Sequence, residues 1–156
     1  MINTTNIEDV FGELTFPYVK RKNVKLSELP SLTTSLAVFR YIWPVYEPFV
    51  HEREVAYVIY LNKSNKVLGR YKVSEGSLEG TVVGCDMIIA RALLLQSKGL
   101  IFVHNHPSGA LIPSLMDIKI VQKIKQACLL FDFSFLDSII ISPDETYYSA
   151  SDDGKI

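Results

Sequence analysis

One stretch, residues 100–117, most constrains the fold of this chain. It begins with the apolar run 100–103 (Leu-Ile-Phe-Val), which follows Gly99 and has the β-branched and aromatic composition of a buried strand. The Pro-Ser-Gly sequence at 107–109 comes next, and residues of these types end strands in turns. Ser114 then stands where a helix can begin. We therefore expect the chain to pass from a buried strand, through a short loop, into a helix.

Three potential metal ligands lie in the same stretch. His104 and His106 follow the strand, and side chains two residues apart on a strand point to the same side. Asp117 would fall in the first turn of the helix, where its carboxylate could close back on the two imidazoles. Two of the three histidines in the chain belong to this stretch. Because three protein ligands with a fourth position left to water are typical of a catalytic zinc, the sequence predicts such a site at His104, His106 and Asp117.

Each of these residues also has a simpler interpretation. A histidine pair at the end of a strand can be a hydrogen-bonded surface pair. Ser114 and Asp117 have the spacing of a capping box, in which the acidic residue closes the start of a helix without any metal. The combination of all three residues favours metal binding, because it is hard to obtain by chance. Ser114 could serve both purposes, starting the helix with its backbone while its hydroxyl faces the site.

The spacing resembles the JAMM motif (also called JAB or MPN) of metalloproteases, which reads His-x-His, seven residues, Ser, two residues, Asp. The form of the motif at residues 104–109, with Pro113, Ser114 and Asp117, is similar to the bacterial RadC-type branch of that family. Further likeness is found at residues 53–61, 73–77 and 135–141, so the resemblance covers roughly residues 35–156.

The resemblance implies an α/β fold, namely a three-layer α/β/α cytidine-deaminase-like (JAB/MPN) domain with a mixed central sheet. The length of 156 residues suits one domain. We expect residues 1–34 to form an N-terminal extension that packs on a RadC-like JAB/JAMM domain at residues 35–156. Full-length members of the RadC branch carry a separate DNA-binding-type hairpin module, for which this chain is too short, and this weakens a DNA-repair interpretation.

Local patterns predict where the helices and strands lie. Strands are expected at 53–61, 66–73, 134–142 and 146–149, with a strand-like stretch at 13–19 and a short strand at 81–83. Residues 35–46 have roughly helical spacing, and the short helix that they form is expected to end at Pro44. Further helices are expected at 85–98, stopping near Gly99, and at 114–131. The last helix should present Val121, Ile124 and Cys128 on its apolar face. Cys128 is therefore expected in the core.

The resemblance implies a zinc-dependent hydrolase that cleaves a peptide or isopeptide bond. His104, His106 and Asp117 would hold Zn²⁺, and Glu54 corresponds to the catalytic glutamate of the family, the general base. The Ser114 hydroxyl would stabilise the oxyanion, and Asn105 would project away from the ligands and hold the loop. The pattern alone would make Glu54 a solvated carboxylate at the head of an apolar strand. Its neighbour Glu52 competes for the role of base.

Position relative to the end of the strand favours Glu54 over Glu52, and His51 is expected at the surface. One departure from the family lies at Ser138, where RadC-type chains typically have histidine, although the preceding Asp137 is retained. If the missing imidazole is a partner of a metal ligand, its loss affects efficiency and not metal binding, since such partners orient the ligands.

Motifs and charge composition weigh against two other functions for this chain. A zinc deaminase would need a His-x-Glu and a Pro-Cys-x-x-Cys element, and the chain has neither. A DNA-repair-associated or scaffold protein with little catalytic activity is the second interpretation. Its weak point is the balance of 16 basic and 17 acidic residues, since nucleic-acid-binding domains usually carry a basic excess.

The expected partners and location follow from the same reasoning. The chain has no apolar run near the ~20 residues of a membrane span and no signal-peptide pattern, so we expect a cytoplasmic protein without membrane contact. Its partner would be a peptide or protein substrate, with a ubiquitin-like tail as one candidate, and DNA is only weakly supported. An exposed hairpin and the N-terminal extension could pair two copies as a homodimer.

Overall fold

The computed structural model describes residues 8–9, 12–13, 24–76 and 84–156. Its strands and α-helices, in chain order, are β1 (Glu8–Asp9), β2 (Gly12–Glu13), α1 (Ser35–Tyr46), β3 (Val55–Leu61), β4 (Val67–Glu75), α2 (Cys85–Leu94), β5 (Gly99–Asn105), α3 (Leu115–Leu130), β6 (Ser134–Ile141) and β7 (Tyr147–Ser149). The short strands β1 and β2 pair with each other in an antiparallel manner. All the other strands belong to one sheet.

The sheet has the order β4-β3-β5-β6-β7 and is mixed. Strand β5 pairs antiparallel with β3 and parallel with β6, and the outer pairs β3–β4 and β6–β7 are antiparallel. Parallel neighbours need a crossover connection, which α3 supplies between β5 and β6. Every residue of β5 is buried, as expected for the central strand.

Helices cover both faces of the sheet. On one face α2 and α3 contribute Ile88, Ile124 and Cys128 to a core that includes Phe102 of β5. On the other face α1 contributes Val38, Ile42 and Tyr46 to a core that includes Val103 of the same strand. Neighbouring residues of β5 thus point into different cores. The resulting α/β/α layering with a mixed central sheet confirms the predicted fold class.

Two helix ends differ from the prediction, and α1 is the first. The helix continues through Pro44 to Tyr46, although Pro44 was expected to end it. Tyr46 is completely buried, and its hydroxyl lies 3.0 Å from the carbonyl oxygen of Val55 and 2.9 Å from that of Val103. These contacts with the sheet hold the last turn in place, and they outweigh the hydrogen bond that proline removes.

The end of α2 is the second difference, because the helix stops at Leu94 and does not reach residue 98. Gln96 has a φ of 51°, and its backbone N–H donates to Leu93 while that of Ser97 donates to Ala92. This is a Schellman motif, in which a residue in the left-handed conformation closes the helix. Glycine is the usual residue there, so the sequence pointed to Gly99, which instead begins β5.

The five strands of the main sheet and α3 were predicted to within two residues at each end, and β1 was not predicted. Two predicted segments, 81–83 and the part of 13–19 after residue 13, lie outside the described residues. The packing of residues 1–34 on the domain as an extension stays a prediction. In the described part of the chain, no helix has both the length and the apolar character that crossing a membrane requires.

Candidate metal centre

The two histidines converge at the end of β5. His104 is the penultimate residue of the strand and is completely buried. His106 lies just beyond the strand, but its backbone N–H still donates to the carbonyl of Ile141 on β6 at 2.9 Å. Because this bond continues the parallel pairing, the alternation of side chains persists as predicted. The Nε2 atoms of the two rings are 3.1 Å apart.

Asp117 closes the group from the first turn of α3. Its Oδ1 lies 3.2 Å from Nε2 of His104, and its Oδ2 lies 3.4 Å from Nε2 of His106. A tetrahedral zinc with bonds of about 2.0–2.2 Å would separate its ligand atoms by about 3.3 Å. The distances from Nε2 of His104 to Nε2 of His106 and to Oδ1 of Asp117 are close to that spacing, and one ligand atom from each of the three side chains lies within 4.8 Å of the others. The side chains of His104, His106 and Asp117, all buried, therefore form a group that could hold a metal ion.

A capping box fixes the position of Asp117. The Ser114 hydroxyl accepts a hydrogen bond from the backbone N–H of Asp117 at 3.1 Å, and Oδ2 of Asp117 accepts one from the backbone N–H of Ser114 at 2.7 Å. Ser114 and Asp117 thus form the capping box that their spacing indicated. The same Asp117 carboxylate also lies beside the two histidines. The helix start orients the carboxylate toward the two rings.

The chain between the strand and the helix also orients His106. Gly109 has a φ of 80°, a conformation that favours glycine, and its N–H donates to the carbonyl of His106. This turn brings the carbonyl of Ala110 to 2.6 Å from Nδ1 of His106. In the neutral ring, a hydrogen on Nδ1 leaves Nε2 without one, and this is the form that binds a metal.

Charge and burial shift the proton affinities within the group. The pKa of Asp117 lies well below its ordinary value, because burial, which would raise it, is outweighed by hydrogen bonds from His104, His106 and Ser114. The pKa of His106 is raised, first by its hydrogen bond to Asp117 and also by the Ala110 carbonyl and the charge of Glu54, against the effect of burial. A carboxylate that stays ionised is a suitable metal ligand.

Glu54 lies beside this group, immediately before β3. In the antiparallel pairing Ala56 faces His104, so the same register extended by two residues brings Glu54 opposite His106. The contribution of Glu54 to the pKa of His106 agrees with this placement. Its competitor Glu52 is exposed and pairs with the guanidinium of Arg53 at 2.8 Å. His51 is exposed, as expected.

Asn105 links the segment that carries Glu54 to the strand that carries the histidines. It is completely buried, and it lies on the opposite face of β5 from His104, as predicted. Its Oδ1 accepts a hydrogen bond from the N–H of Val55 at 2.8 Å, and its Nδ2 donates to the carbonyls of Val50 and Arg53 at 3.1 and 2.9 Å. The sequence suggested a loop-holding residue at this position but gave no sign of its partners, which lie about fifty residues earlier in the chain.

Ser138 and its neighbour Asp137 occupy different surroundings. Ser138 is buried and lines a cavity that His104 also lines. Among the described residues, none gives a hydrogen-bond partner to Nδ1 of His104. Asp137 accepts hydrogen bonds from the Ser149 hydroxyl and from the backbone N–H groups of Ser138 and Ser151, which fasten β6 to the end of β7. Burial raises its pKa.

The cysteines have no place in this centre. Cys128 is buried among the apolar residues of α3 and its neighbours, as predicted, and burial raises the pKa of its thiol to about 11. Burial also raises the pKa of the Cys85 thiol. Both cysteines are free, and thiols with raised pKa values are poor nucleophiles.

Comparison with known proteins gives one consistent result. Residues 32–155 match the sequence profile of a family described as "RadC-like JAB domain". A "UPF0758 protein" of Flavobacterium johnsoniae is 38% identical over 127 residues, which are 81% of this chain and 54% of that protein. A "UPF0758 protein" of Porphyromonas gingivalis is 31% identical over 140 residues, which are 86% of this chain and 60% of that protein. The chain thus spans a little over half the length of these two relatives.

Proposed function

The chain belongs to the RadC-like JAB domain family, and from this premise we propose that it is a zinc-dependent hydrolase that cleaves a peptide or isopeptide bond. The observation that carries the proposal is the spacing of 3.1–3.4 Å among the side-chain atoms of His104, His106 and Asp117. Two imidazoles and one carboxylate are a ligand set of catalytic zinc, which keeps a further position for water or substrate. When bound there, zinc would lower the pKa of its water toward about 7 and polarise a substrate carbonyl.

Glu54 is the general base in this proposal. It would take a proton from the attacking water and deliver it to the leaving nitrogen, without which an amide is a poor leaving group. Its support is its place beside His106, given by the register of β3 and β5.

Ser114 is the proposed oxyanion partner. Its oxygen accepts the hydrogen bond from the N–H of Asp117, and its hydroxyl hydrogen can turn to donate to a substrate oxygen. A donor aimed at the developing negative charge lowers the barrier to attack on a carbonyl. The substrate would be a peptide or a protein, and a ubiquitin-like tail is one candidate.

Metal analysis of three purified proteins tests the ligand set. We expect about one zinc per chain in the wild-type protein and almost none in His106→Ala, because a site with two ligands left binds zinc far more weakly. The third histidine supplies a matched control, since His51 is exposed and His51→Ala should keep its zinc. Equal zinc in wild type and His106→Ala would contradict the assignment.

The activity itself is tested with a peptide library read by mass spectrometry. The zinc-loaded wild type and His51→Ala should cleave a common set of peptides, and a chelator should abolish this cleavage until zinc is restored. Cleavage that persists in metal-free protein, or the absence of any cleaved peptide in the zinc-loaded protein, would contradict the proposed hydrolysis.

A further inference from the structure

A cavity of about 670 Å³ opens next to the candidate metal centre. His104 and Asp117 form part of its wall, so the cavity is continuous with the group that could hold the metal. From there it extends along α3, past Ile118 and Val121, and it is bounded on the other side by Ile140 of β6 and Tyr148 of β7. A molecule held in the cavity would therefore have one end beside His104 and Asp117.

The wall of this cavity is mainly apolar, and part of it is open to solvent. Ile118 follows Asp117 directly on α3 and is 42% exposed, and Ile112 on the preceding loop is 82% exposed. Large apolar side chains that stay in contact with water at the mouth of a cavity mark a place where another molecule binds. Besides His104 and Asp117, the polar residues of the lining are Gln122, Lys125, Ser138, Asp153 and Lys155, and the side chains of Asp153 and Lys155 lie 4.0 Å apart.

We propose that this cavity binds bulky apolar side chains of the peptide substrate next to the bond that is cleaved. The inference rests on the proposed function, because it is the candidate metal centre that places the reacting carbonyl at the His104 end. The volume lies within the range of about 300–1,000 Å³ that holds sizeable organic ligands, so it has room for more than one side chain. A charged side chain placed against Ile118, Val121 and Ile140 would lose its hydration, which disfavours acidic and basic residues at this apolar part of the wall.

Binding can be measured without any catalysis, with the isoleucine methyl groups as reporters. Wild-type protein labelled at the isoleucine δ1-methyls is titrated with N-acetyl-L-leucinamide and, separately, with N-acetyl-L-aspartamide. We expect saturable NMR shifts at Ile118 and Ile140 with the leucine probe only. Ile59 lies in the core on the α1 face of the sheet and should not respond. Absence of shifts at Ile118 and Ile140, or equal shifts with both probes, would overturn the inference.

A pair of matched variants on α3 tests the same wall. Ile118→Lys places a charge at the cavity, and we expect it to weaken binding of the leucine probe by about tenfold or more, as for other changes to apolar pockets. Leu129→Lys changes another exposed apolar residue of the same helix, one outside the cavity, and should bind the probe as the wild type does. Unchanged binding in Ile118→Lys would overturn the inference, since the wild-type titration has already established where the probe sits.

The peptide library separates failure of this inference from failure of the proposed function. Cleaved peptides enriched in Leu, Ile, Phe or Met at one position beside the cut, with the preference reduced in Ile118→Lys, would support both. Methyl shifts without any cleavage would support the cavity as an apolar binding site and overturn the hydrolase. Cleavage without an apolar preference would overturn the inference about the cavity and leave the hydrolase standing.

Discussion

At the scale of single residues, Asn105 joins parts of the chain that a reaction would need to keep in register. One amide group satisfies the N–H of Val55 and the carbonyls of Val50 and Arg53. Glu54 lies within the segment that these bonds hold, and the histidines flank Asn105 on its own strand. The side chain is therefore a positioning residue in the proposed hydrolase, although it lies on the face of β5 turned away from the ligands.

Replacing Asn105 should separate positioning from metal binding. Asn105→Ala leaves buried backbone groups without partners, so we expect a loss of about 1–3 kcal/mol in the free energy of unfolding, measured with urea. Zinc content should stay near that of the wild type, while hydrolysis falls and its pH profile changes because Glu54 is no longer held.

Asn62→Ala is the control, because the Asn62 side chain also accepts two backbone hydrogen bonds, from Ser64 and Lys66, but in a turn at the far end of β3. A pH profile identical to that of the wild type in Asn105→Ala would show that the residue serves only the fold.

The role of Glu54 is tested by a change that removes its basicity and keeps its shape. Glu54→Gln should lower the rate of hydrolysis by about 10²–10⁴, the usual contribution of a general base, with zinc content unchanged. Glu52→Gln alters the exposed neighbour and should leave the rate unchanged. If zinc is lost from Glu54→Gln, Glu54 is a ligand and not the base.

Most of the candidate site could be predicted from the sequence because its parts are local. His104 and His106 are two residues apart on one strand, and Ser114 and Asp117 are three apart at one helix start, so strand alternation and the capping pattern fix their geometry. The placement of Glu54 is a different matter, because it depends on the register between β3 and β5. The residues alone did not distinguish it from a solvated carboxylate, and only the resemblance to a family selected it.

At the scale of elements, the start of α3 combines helix capping with the candidate metal centre. Ser114→Ala removes the side-chain cap, and we expect it to lower the free energy of unfolding by about 1 kcal/mol. Because Asp117 then loses the hydrogen bond that holds its backbone, zinc affinity should fall by about 10–100-fold. Both quantities can be measured on the same protein, by urea unfolding and by competition with a zinc chelator.

Thr34→Ala is the matched control for this prediction. Thr34 caps α1, where its hydroxyl oxygen accepts a hydrogen bond from the N–H of Ala37 at 3.2 Å, and α1 lies on the opposite face of the sheet. Its replacement should cost a similar amount of stability and leave zinc affinity as it is. Equal zinc affinity in Ser114→Ala and wild type would mean that Asp117 is held by its other contacts.

The helix ends show where local patterns fail. Pro44 and Gly99 are strong signals for the end of a helix, but α1 passes the first and α2 stops before reaching the second. In α1 the deciding contacts are those of the buried Tyr46 hydroxyl with two sheet carbonyls, which are distant in sequence. In α2 the deciding feature is the left-handed conformation of Gln96. Glutamine rarely adopts this conformation, so its presence in the sequence does not predict the end of a helix.

At the scale of the whole molecule, the order of the strands could not be obtained from local patterns. The strands of the main sheet were predicted from local patterns, but nothing in those patterns says that β5 lies between β3 and β6, or that one of these neighbours is parallel. The resemblance supplied the mixed α/β/α architecture. That order matters for the site, since it brings the start of β3 beside the end of β5.

Metal binding should stabilise the entire fold. The candidate ligands come from β5, from the residue after it and from α3, so an ion that binds all three binds the folded state and not the unfolded chain. Zinc at about one hundred times its dissociation constant should add about 2.7 kcal/mol to the free energy of unfolding, seen as a higher Tm in thermal melts with zinc than without. His51→Ala should show the same rise.

His106→Ala should show no rise in Tm with zinc. A rise of equal size in this variant would mean that the ion stabilises the protein from another location. Both variants can be compared with the wild type in the absence of zinc, so that any change in the starting Tm caused by the substitution itself is removed from the comparison.

The capping box of α3 has an evolutionary consequence. Asp117 and Ser114 bond to each other without any ion, so selection for a well-formed helix would preserve them in a descendant that no longer binds a metal. His104 has no such second duty, because one of its ring nitrogens is buried without a partner among the described residues. Across related genomes, His104 is therefore the residue whose loss should best mark the loss of the metal centre, and the serine and aspartate are poor guides.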